Sequence, residues 1–397
     1  MKHELKKQEY KESQMIFFRH MTLIRYKKQS MRFLFKLLVF VTPFLIGVKS
    51  TSQTIKKTKY ASAIFEAHRI IDSLQQKQNI PGIDIAVSIN GNIVWSEGFG
   101  FANIELQVPV ISGETIFRIG SVSKPLTSTA LGKLIKNGKL SLDSTIQTYV
   151  KYFPKKKYPI TVRQIAGHIA GIRHYRNTEY TSAKKYSTVE SGLDIFKNDS
   201  LLFKPGTGYS YSSYGFNLLS AAVENASGMP FLDFMKHEIF SKLGMNATFA
   251  DKNERIIENR SSFYQINASN AIENAIYVDN SYKWAGGGFL STTHDLIKFG
   301  NAMIKEEFLS GKIIAEFTKS QKLSNGKKTG YGIGWGIIKR NKLKGFGHDG
   351  GSVGGITKFQ IYPKEKLVII ALSNSSNVNY AKTIESIVDL FIEAKKQ

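Results

Sequence analysis

The strand patterns of this sequence lie towards both ends of the chain, with a long helix-rich segment between them. Residues 83–89 and 93–97 flank Asn90-Gly91, a dipeptide that favours the two-residue turn of a β-hairpin. Further strands are predicted nearer the C-terminus, at residues 331–338, 354–362 and 367–373. A chain with this order can build one sheet from both of its ends, with the middle segment inserted between them.

Helices are predicted on the outer sides of these strands. Apolar side chains recur at helical spacing in residues 58–78 and again in residues 380–394. The sequence therefore predicts an α+β fold, in which N- and C-terminal helices flank an antiparallel sheet that carries an inserted, mostly helical domain. We assign residues 57–120 and 285–397 to the sheet domain and residues 121–284 to the helical domain. Together they form one predicted catalytic unit.

Residues 1–52 are predicted to be a targeting segment. Residues 37–48 form an apolar run between Lys36 and Lys49, shorter than the roughly 20 residues of a bilayer span but typical of a signal-peptide core. The basic stretch before it is long, and Met31 would begin a conventional signal peptide. An uncleaved N-terminal anchor is the alternative, and it would associate the protein with a membrane. Both interpretations predict export, to the periplasm or to the outer face of a membrane.

The composition argues against several classes of site. The 397 residues include no cysteine, which excludes disulfides, thiolate metal sites and cysteine nucleophiles. The eight histidines are scattered without metal-ligand spacing, and no phosphate or dinucleotide glycine motif occurs, so neither a metal nor a cofactor is expected. The formal net charge of +24 would suit a nucleic-acid binder. No zinc finger, RNA-recognition signature or arginine-rich helix accompanies that charge, and we expect no nucleic-acid partner.

A Ser-x-x-Lys pattern occurs at Ser121–Lys124, where a predicted strand (115–119) gives way to a predicted helix (126–137). Residues three apart share one face of a helix, so a desolvated Lys124 could take the proton of the Ser121 hydroxyl. Unpaired N–H groups at a helix N-terminus would also stabilise a developing oxyanion. The same spacing recurs at Ser182–Lys185 and Ser324–Lys327. Both of those pairs lie in polar loops, and we interpret them as chance matches.

Two other segments have residues suited to the same chemistry. Tyr211 follows a Pro205-Gly206 turn and precedes a predicted helix, where a phenol could relay a proton to a leaving group. Residues 345–352 (GFGHDGGS) precede a predicted strand, and their glycines would let backbone N–H groups approach a substrate. His348 within that segment could orient a substrate group.

In their order along the chain, these three segments resemble the motifs of the penicillin-binding-protein-like serine hydrolases, in the class C β-lactamase-related branch (peptidase family S12). The resemblance covers residues 60–390 and includes Ser-x-x-Lys, a Tyr-x-Asn/Ser at Tyr211–Ser213 and a Lys/His-x-Gly at His348–Gly350. Supporting phrases include FRIGSVSKPLTSTAL, GKLSLDSTI and GHDGGSVGG. Tyr175-Arg176-Asn177 is the literal Tyr-x-Asn match, but it lacks the preceding turn and the following helix, so we favour Tyr211.

The resemblance implies a role for each residue. Ser121 would form an acyl-enzyme, Lys124 would assist its deprotonation, and Tyr211 would shuttle protons to the leaving group and the deacylating water. The backbone N–H groups of Ser121 and Gly351 would form the oxyanion hole. His348, with Gly350 beside it, would occupy the place of the lysine that holds the substrate carboxylate in β-lactamases.

Three departures from the family pattern shape the expected function. Ser213 stands where asparagine is usual, His348 replaces lysine, and Asp349 occupies a position usually held by Thr or Ser. The Asp349 carboxylate could repel a substrate carboxylate or hold His348 as imidazolium. We therefore expect an exported esterase or peptidase acting on a small-molecule or short-peptide substrate, with cell-wall-derived compounds among the candidates. The alternatives are a catalytically impaired sensor or scaffold and a weak β-lactamase or D-Ala-D-Ala carboxypeptidase.

Overall fold

The computed structural model describes residues 59–397. The predicted signal peptide or anchor at residues 1–52 lies outside the described residues, and so does the alternative start at Met31. Within residues 59–397, no helix is both long enough and apolar enough to cross a membrane.

One seven-stranded antiparallel sheet organises the structure. Its strands follow the order β3-β2-β1-β12-β11-β10-β9. Their bounds are β1 (Gly82–Ile89), β2 (Asn92–Asn103), β3 (Val108–Pro109), β9 (Gly336–Arg340), β10 (Leu343–Ser352), β11 (Gly355–Tyr362) and β12 (Leu367–Ser373). β1 pairs directly with β12, from Ile83 opposite Ser373 to Ile89 opposite Leu367. The centre of the sheet is thus formed by two strands that are far apart in the sequence.

The β1–β2 hairpin forms where Asn90-Gly91 predicted it. Asn90 and Gly91 both have positive φ, of 54° and 85°, as a type I′ turn requires. β1 and β12 are buried along their whole length, because helices cover both faces of the sheet at its centre. The strand predicted at residues 331–338 begins later, at Gly336; Tyr331 contributes only an isolated bridge to that residue.

Ten α-helices accompany the sheet in the described part of the chain: α1 (Ala61–Lys77), α2 (Ser123–Lys136), α3 (Val162–Ala166), α4 (Val189–Leu193), α5 (Ser213–Ser227), α6 (Phe231–Phe234), α7 (Trp284–Gly287), α8 (Thr293–Lys305), α9 (Gly311–Phe317) and α10 (Ala381–Lys396). α1 and α10 pack together on one face of the sheet, where Ile71 and Ile387 join a core with Ile85 and Ile369. The opposite face is covered chiefly by α8, whose Phe299 packs against Phe359, and the same hydrophobic core continues into α2 and α5. The predicted fold class is confirmed.

The segment between the two sets of strands differs in detail from its prediction. Helix is its main regular structure, yet turns and loops make up more of residues 121–284 than helix does. α6 continues into a π-helical turn, Met235–Phe240, and three short strands also occur: β5 (Phe249–Ala250), β6 (Tyr264–Ile266) and β7 (Ile272–Asn274). The long loops are held by ion pairs, such as those of Arg173 with Glu179 and Asp199, and these contacts leave no periodic pattern in a sequence.

Candidate active site

Ser121 lies at a sharp transition from strand to helix. β4 (Phe117–Arg118), which pairs with β8 (Phe289–Ser291), leads into a 3₁₀ turn at Gly120–Val122 and then directly into α2. Gly120 has φ +48°, and a Cβ there would lie 2.6 Å from the carbonyl oxygen of Gly351. Only glycine fits both the left-handed backbone and this close approach. The turn brings Ser121 beside β10 while leaving its side chain partly exposed.

Lys124 lies within α2, one turn after Ser121, and is completely buried. Its Nζ lies 3.0 Å from Ser121 Oγ, 3.0 Å from Ser213 Oγ and 2.5 Å from the carbonyl oxygen of Gly286. The Gly286 carbonyl can only accept a hydrogen bond. The amine is therefore fixed between one backbone acceptor and two hydroxyls.

Burial lowers the pKa of Lys124 well below its usual value, because desolvation penalises the ammonium form. Within residues 59–397, no carboxylate lies within ion-pair distance of Nζ to offset this effect. A neutral amine has two N–H donors and one lone pair. If the donors are used by Gly286 and Ser213, the lone pair is left to accept the proton of Ser121.

Tyr211 contacts both members of this pair. Lys124 Nζ lies 4.7 Å from the centre of the Tyr211 ring. Burial raises the pKa of Tyr211, and a hydrogen bond with Ser121 opposes part of that rise, so the phenol is protonated at neutral pH. The structure thus brings together Ser121, Lys124 and Tyr211, with Ser213 at the start of α5 as the fourth member.

The glycine-rich segment at residues 345–352, placed before a strand by the sequence analysis, is itself part of β10. Pairing with β9 ends at Gly347, so the backbone edge from His348 to Ser352 has no β9 residue beside it. This edge faces the Ser121 turn: a Cβ on Gly350 would lie 2.1 Å from the carbonyl oxygen of Ile119, and one on Gly120 would lie 2.8 Å from the nitrogen of Gly351. The backbone of Gly350 and Gly351 is therefore within reach of an acyl group on Ser121.

The side chains of His348 and Asp349 point to opposite faces of the sheet, as neighbours in a strand do. His348 stands opposite Phe359 on the side of Ser121. Asp349 stands opposite Lys358, and their ion pair measures 2.7 Å. The expectation that Asp349 would hold His348 as imidazolium is wrong: burial and the nearby Lys124 lower the pKa of His348 to about 3, and its ring is neutral.

Three site residues escaped the sequence analysis: His168, His174 and Tyr331. His168 is 2% exposed and packs against Tyr211 and Tyr331, with ring centres 4.3 and 4.6 Å apart. Its Nδ1 accepts the N–H of Ser212, and its Nε2 has no partner among the described residues. His174 accepts the N–H of Ser213, and burial lowers its pKa to about 4. Neutral aromatic rings thus form the wall around Tyr211.

The competing motif matches lie apart from this chemistry. Lys185 and Lys327 are exposed, and Lys185 pairs with Glu254. Tyr175, by contrast, borders the site: it hydrogen-bonds Ser213, and burial raises its pKa well above the usual value. No group of acidic or histidine side chains in residues 59–397 is arranged to hold a metal ion.

A serine beside a buried lysine, at the start of a helix and next to the free edge of a strand, defines the class of serine acyl-transfer hydrolases. The sequence pattern of the family described as Beta-lactamase matches residues 67–390. The serine beta-lactamase-like protein LACTB, mitochondrial, of Homo sapiens is 34% identical, over 77% of this chain and 73% of its own. Penicillin-binding protein 4* of Bacillus subtilis (strain 168) is 27% identical, over 80% and 72%.

Among solved structures, the octameric penicillin-binding protein homologue from Pyrococcus abyssi superimposes with a TM-score of 0.71 and 26% identity, covering 81% of this chain and 77% of its own. The chain belongs to the Beta-lactamase family, whose members include penicillin-binding proteins and related serine hydrolases. The resemblance inferred from the sequence motifs is thereby confirmed.

Proposed function

We propose that this protein is a serine hydrolase that cleaves an ester or amide bond through an acyl-enzyme on Ser121. The observation that carries the proposal is the 3.0 Å contact between Ser121 Oγ and the amine of the buried Lys124. A serine hydroxyl needs a base within hydrogen-bond distance to become a nucleophile at neutral pH, and a desolvated lysine can act as that base.

In the first half of the reaction, Ser121 Oγ attacks the substrate carbonyl and its proton passes to Lys124. The oxyanion that forms would accept hydrogen bonds from the backbone N–H groups of Ser121 and Gly351. Tyr211 then donates its phenolic proton to the leaving group as the scissile bond breaks. The Lys124 ammonium returns a proton to Tyr211, which restores both groups and leaves the acyl group on Ser121.

In the second half, a water attacks the acyl carbonyl and Ser121 leaves. One proton of the water passes through Tyr211 and Lys124 to Ser121 Oγ, and the acid product departs. Burial raises the pKa of Tyr211, so the phenol holds its proton in the resting enzyme and has it available for the leaving group.

Labelling with a fluorophosphonate probe tests the proposal. Wild-type protein should be labelled on Ser121 and should hydrolyse an activated ester, and Ser121→Ala should lose both activities. Ser182→Ala, at the exposed Ser-x-x-Lys spacing, is the matched control and should be labelled as wild type is. Wild-type protein that resists the probe and hydrolyses no activated ester would contradict the proposal.

A penicillin-binding-type sensor, which acylates and then holds its adduct, is the second candidate. Ser213 favours the sensor. Its hydroxyl replaces the asparagine amide that is usual there, and this hydroxyl lies 3.0 Å from Nζ of Lys124, the proposed base. Intact-mass spectrometry separates the two functions. Loss of a β-lactam or ester-derived adduct within seconds to minutes supports the hydrolase, and an adduct that persists for hours supports the sensor.

The site of action is a further part of the proposal. We infer export of the catalytic unit, because the apolar run at residues 37–48 follows a basic stretch as in signal peptides. The Homo sapiens relative is named as mitochondrial, so import into that organelle is the competing destination. Fractionation of cells that express the full chain, with a protease-protection assay, separates the two.

A further inference from the structure

We propose that the subsite formed by His348 on β10 accepts an uncharged group of the substrate, so that the enzyme favours esters and internal or capped amides over substrates ending in a carboxylate beside the scissile bond. This inference rests on the proposed hydrolase function and narrows its substrate class. It would place the D-Ala-D-Ala carboxypeptidase and β-lactamase activities, whose substrates carry such a carboxylate, among the weakest for this enzyme.

Both ring nitrogens of His348 are already used by the protein. Nδ1 lies 2.6 Å from the backbone carbonyl oxygen of Asp349, which can only accept, so Nδ1 carries the proton. Nε2 lies 2.8 Å from the hydroxyl of Tyr331. In a neutral ring this nitrogen has only a lone pair, and the Tyr331 O–H donates to it. Neither nitrogen has an N–H left to offer a substrate carboxylate.

Tyr331 holds this arrangement in place. Its ring is buried, and it packs against both His168, at 4.6 Å between ring centres, and His348, at 5.6 Å. Because the Tyr331 hydroxyl donates to His348, it too has no proton to spare for a substrate. Tyr331 is therefore a positioning residue, which holds the His348 ring in the tautomer that the Asp349 carbonyl sets and fills the space beside it.

Because His348 is neutral, a substrate carboxylate would need a positive charge from another residue, and the lysines near the site do not supply one. Lys358 lies on the opposite face of the sheet, where the Asp349 carboxylate neutralises it at 2.7 Å. The negative charge of Asp349 also reaches the site, since it contributes to the raised pKa of Tyr211 after the larger effect of burial. Lys124 is engaged by Ser121, Ser213 and Gly286.

A carboxylate that enters this subsite would exchange its water shell for neutral rings and receive no charge-assisted hydrogen bond in return. An amide or ester carbonyl at the same place loses far less on desolvation. We expect the discrimination to reach ~10- to 100-fold in kcat/KM, since one uncompensated polar group changes specificity by about that factor.

A matched pair of thioesters measures this preference on the wild-type enzyme. N-benzoylglycyl-thioglycolate ends in a free carboxylate beside the scissile bond, and its terminal amide differs only in losing that charge. Thiol release should give ~10-fold or more higher kcat/KM for the amide. Each compound is also tested for slowing the fluorophosphonate labelling of Ser121, and the amide should protect at the lower concentration.

Equal or better turnover of the carboxylate form, or equal protection by the two compounds, would overturn the inference while leaving the hydrolase proposal intact. Protection by neither compound would overturn it as well. Failure of the proposed function has a different signature, namely wild-type protein that the fluorophosphonate does not label at all.

Substitutions at His348 test its role directly. His348→Lys restores a cation at the subsite and should narrow or reverse the preference, chiefly by lowering KM for the carboxylate form. His348→Gln, which stays neutral, is the matched control and should retain the preference. An unchanged ratio in a folded His348→Lys enzyme would contradict the assignment of the subsite to this residue.

Discussion

Lys124 and Lys283 are both buried, yet their surroundings differ. Burial lowers the pKa of Lys283 to about 7. Burial also lowers the pKa of Lys124, and no acidic neighbour among the described residues offsets that effect. Lys283 Nζ donates to the Tyr180 carbonyl oxygen at 2.9 Å and lies among tyrosine rings, while the charges of Asp251 and Asp279 raise its pKa in part. Lys124 instead lies beside two hydroxyls, one of them at the start of a helix.

The comparison separates two properties that are easily confused. Desolvation makes a lysine amine neutral enough to act as a base, and both side chains have undergone it. A nucleophile within reach of the lone pair is the additional requirement, and only Lys124 of the two meets it here. A perturbed pKa is therefore evidence of function only together with geometry. The following substitutions test this distinction.

Replacing Lys124 by methionine should have the largest effect. The variant keeps an unbranched side chain in the buried site but loses the base, and we expect the rate of Ser121 acylation to fall ~1000-fold. Fluorophosphonate labelling kinetics measure this, with thermal unfolding as the check that the fold persists. Lys185→Met, at the exposed Ser182–Lys185 match, is the control. A similar fall in its acylation rate would contradict the assignment of Lys124 as the base.

Tyr211→Phe should come next. The phenyl ring preserves the packing against His168, but the proton relay to the leaving group is gone, so kcat for an amide should drop ~100-fold. Esters with good leaving groups need less protonation and should lose less. Tyr209→Phe serves as the control. If esters and amides lost activity equally, Tyr211 would be structural rather than a proton shuttle.

Ser213→Ala removes one hydroxyl from the Lys124 amine and should slow acylation ~10-fold, the cost of one hydrogen bond to a catalytic group. Ser220→Ala removes a buried hydroxyl from the same helix, where it bonds only the Asn217 carbonyl oxygen. That control should affect thermal stability and leave the acylation rate unchanged. An equal loss in both variants would point to a general weakening of α5.

Lys283→Met should leave the acylation rate within about twofold of wild type. Its signature is in stability: a lysine with a folded pKa of about 7 and an unfolded pKa near 10.4 binds fewer protons when folded between those values. Its contribution to the free energy of unfolding thus grows as pH rises from 7 to about 10 and is lost as pH falls back. Wild type should therefore gain stability relative to Lys283→Met as pH rises across that range, which unfolding midpoints measure. A difference in midpoint that stays constant with pH would contradict the assigned pKa.

The sequence predicted the parts of the site that depend on local pattern. Ser121–Lys124 was distinguished by its place between strand and helix, and Tyr211 by the turn before it and the helix after it. The fold class followed from strand patterns at both ends of the chain. These features need only neighbouring residues to be recognised.

The parts that were missed or wrong depend on residues distant in sequence. His168, His174 and Tyr331 meet Tyr211 only in the folded chain, and no spacing links them. Asp349 was misjudged because residues 345–352 were not predicted to be a strand. Had they been interpreted as a strand, alternation would have put His348 and Asp349 on opposite faces. The late start of β9 likewise reflects packing rather than propensity.

The pairing of β1 with β12 has a consequence for how the protein is made. During synthesis β1 emerges nearly 300 residues before its central partner, from Ile83 to Ser373, so the centre of the sheet cannot form until β12 has been made. Gly351, beside Ser121, also arrives late. A ribosome-bound or truncated chain ending before β12 would display the unpaired edges of β1 and β11, which would make it a ready substrate for chaperones and proteases. We therefore expect the proposed hydrolytic activity to appear only after β12 has been made.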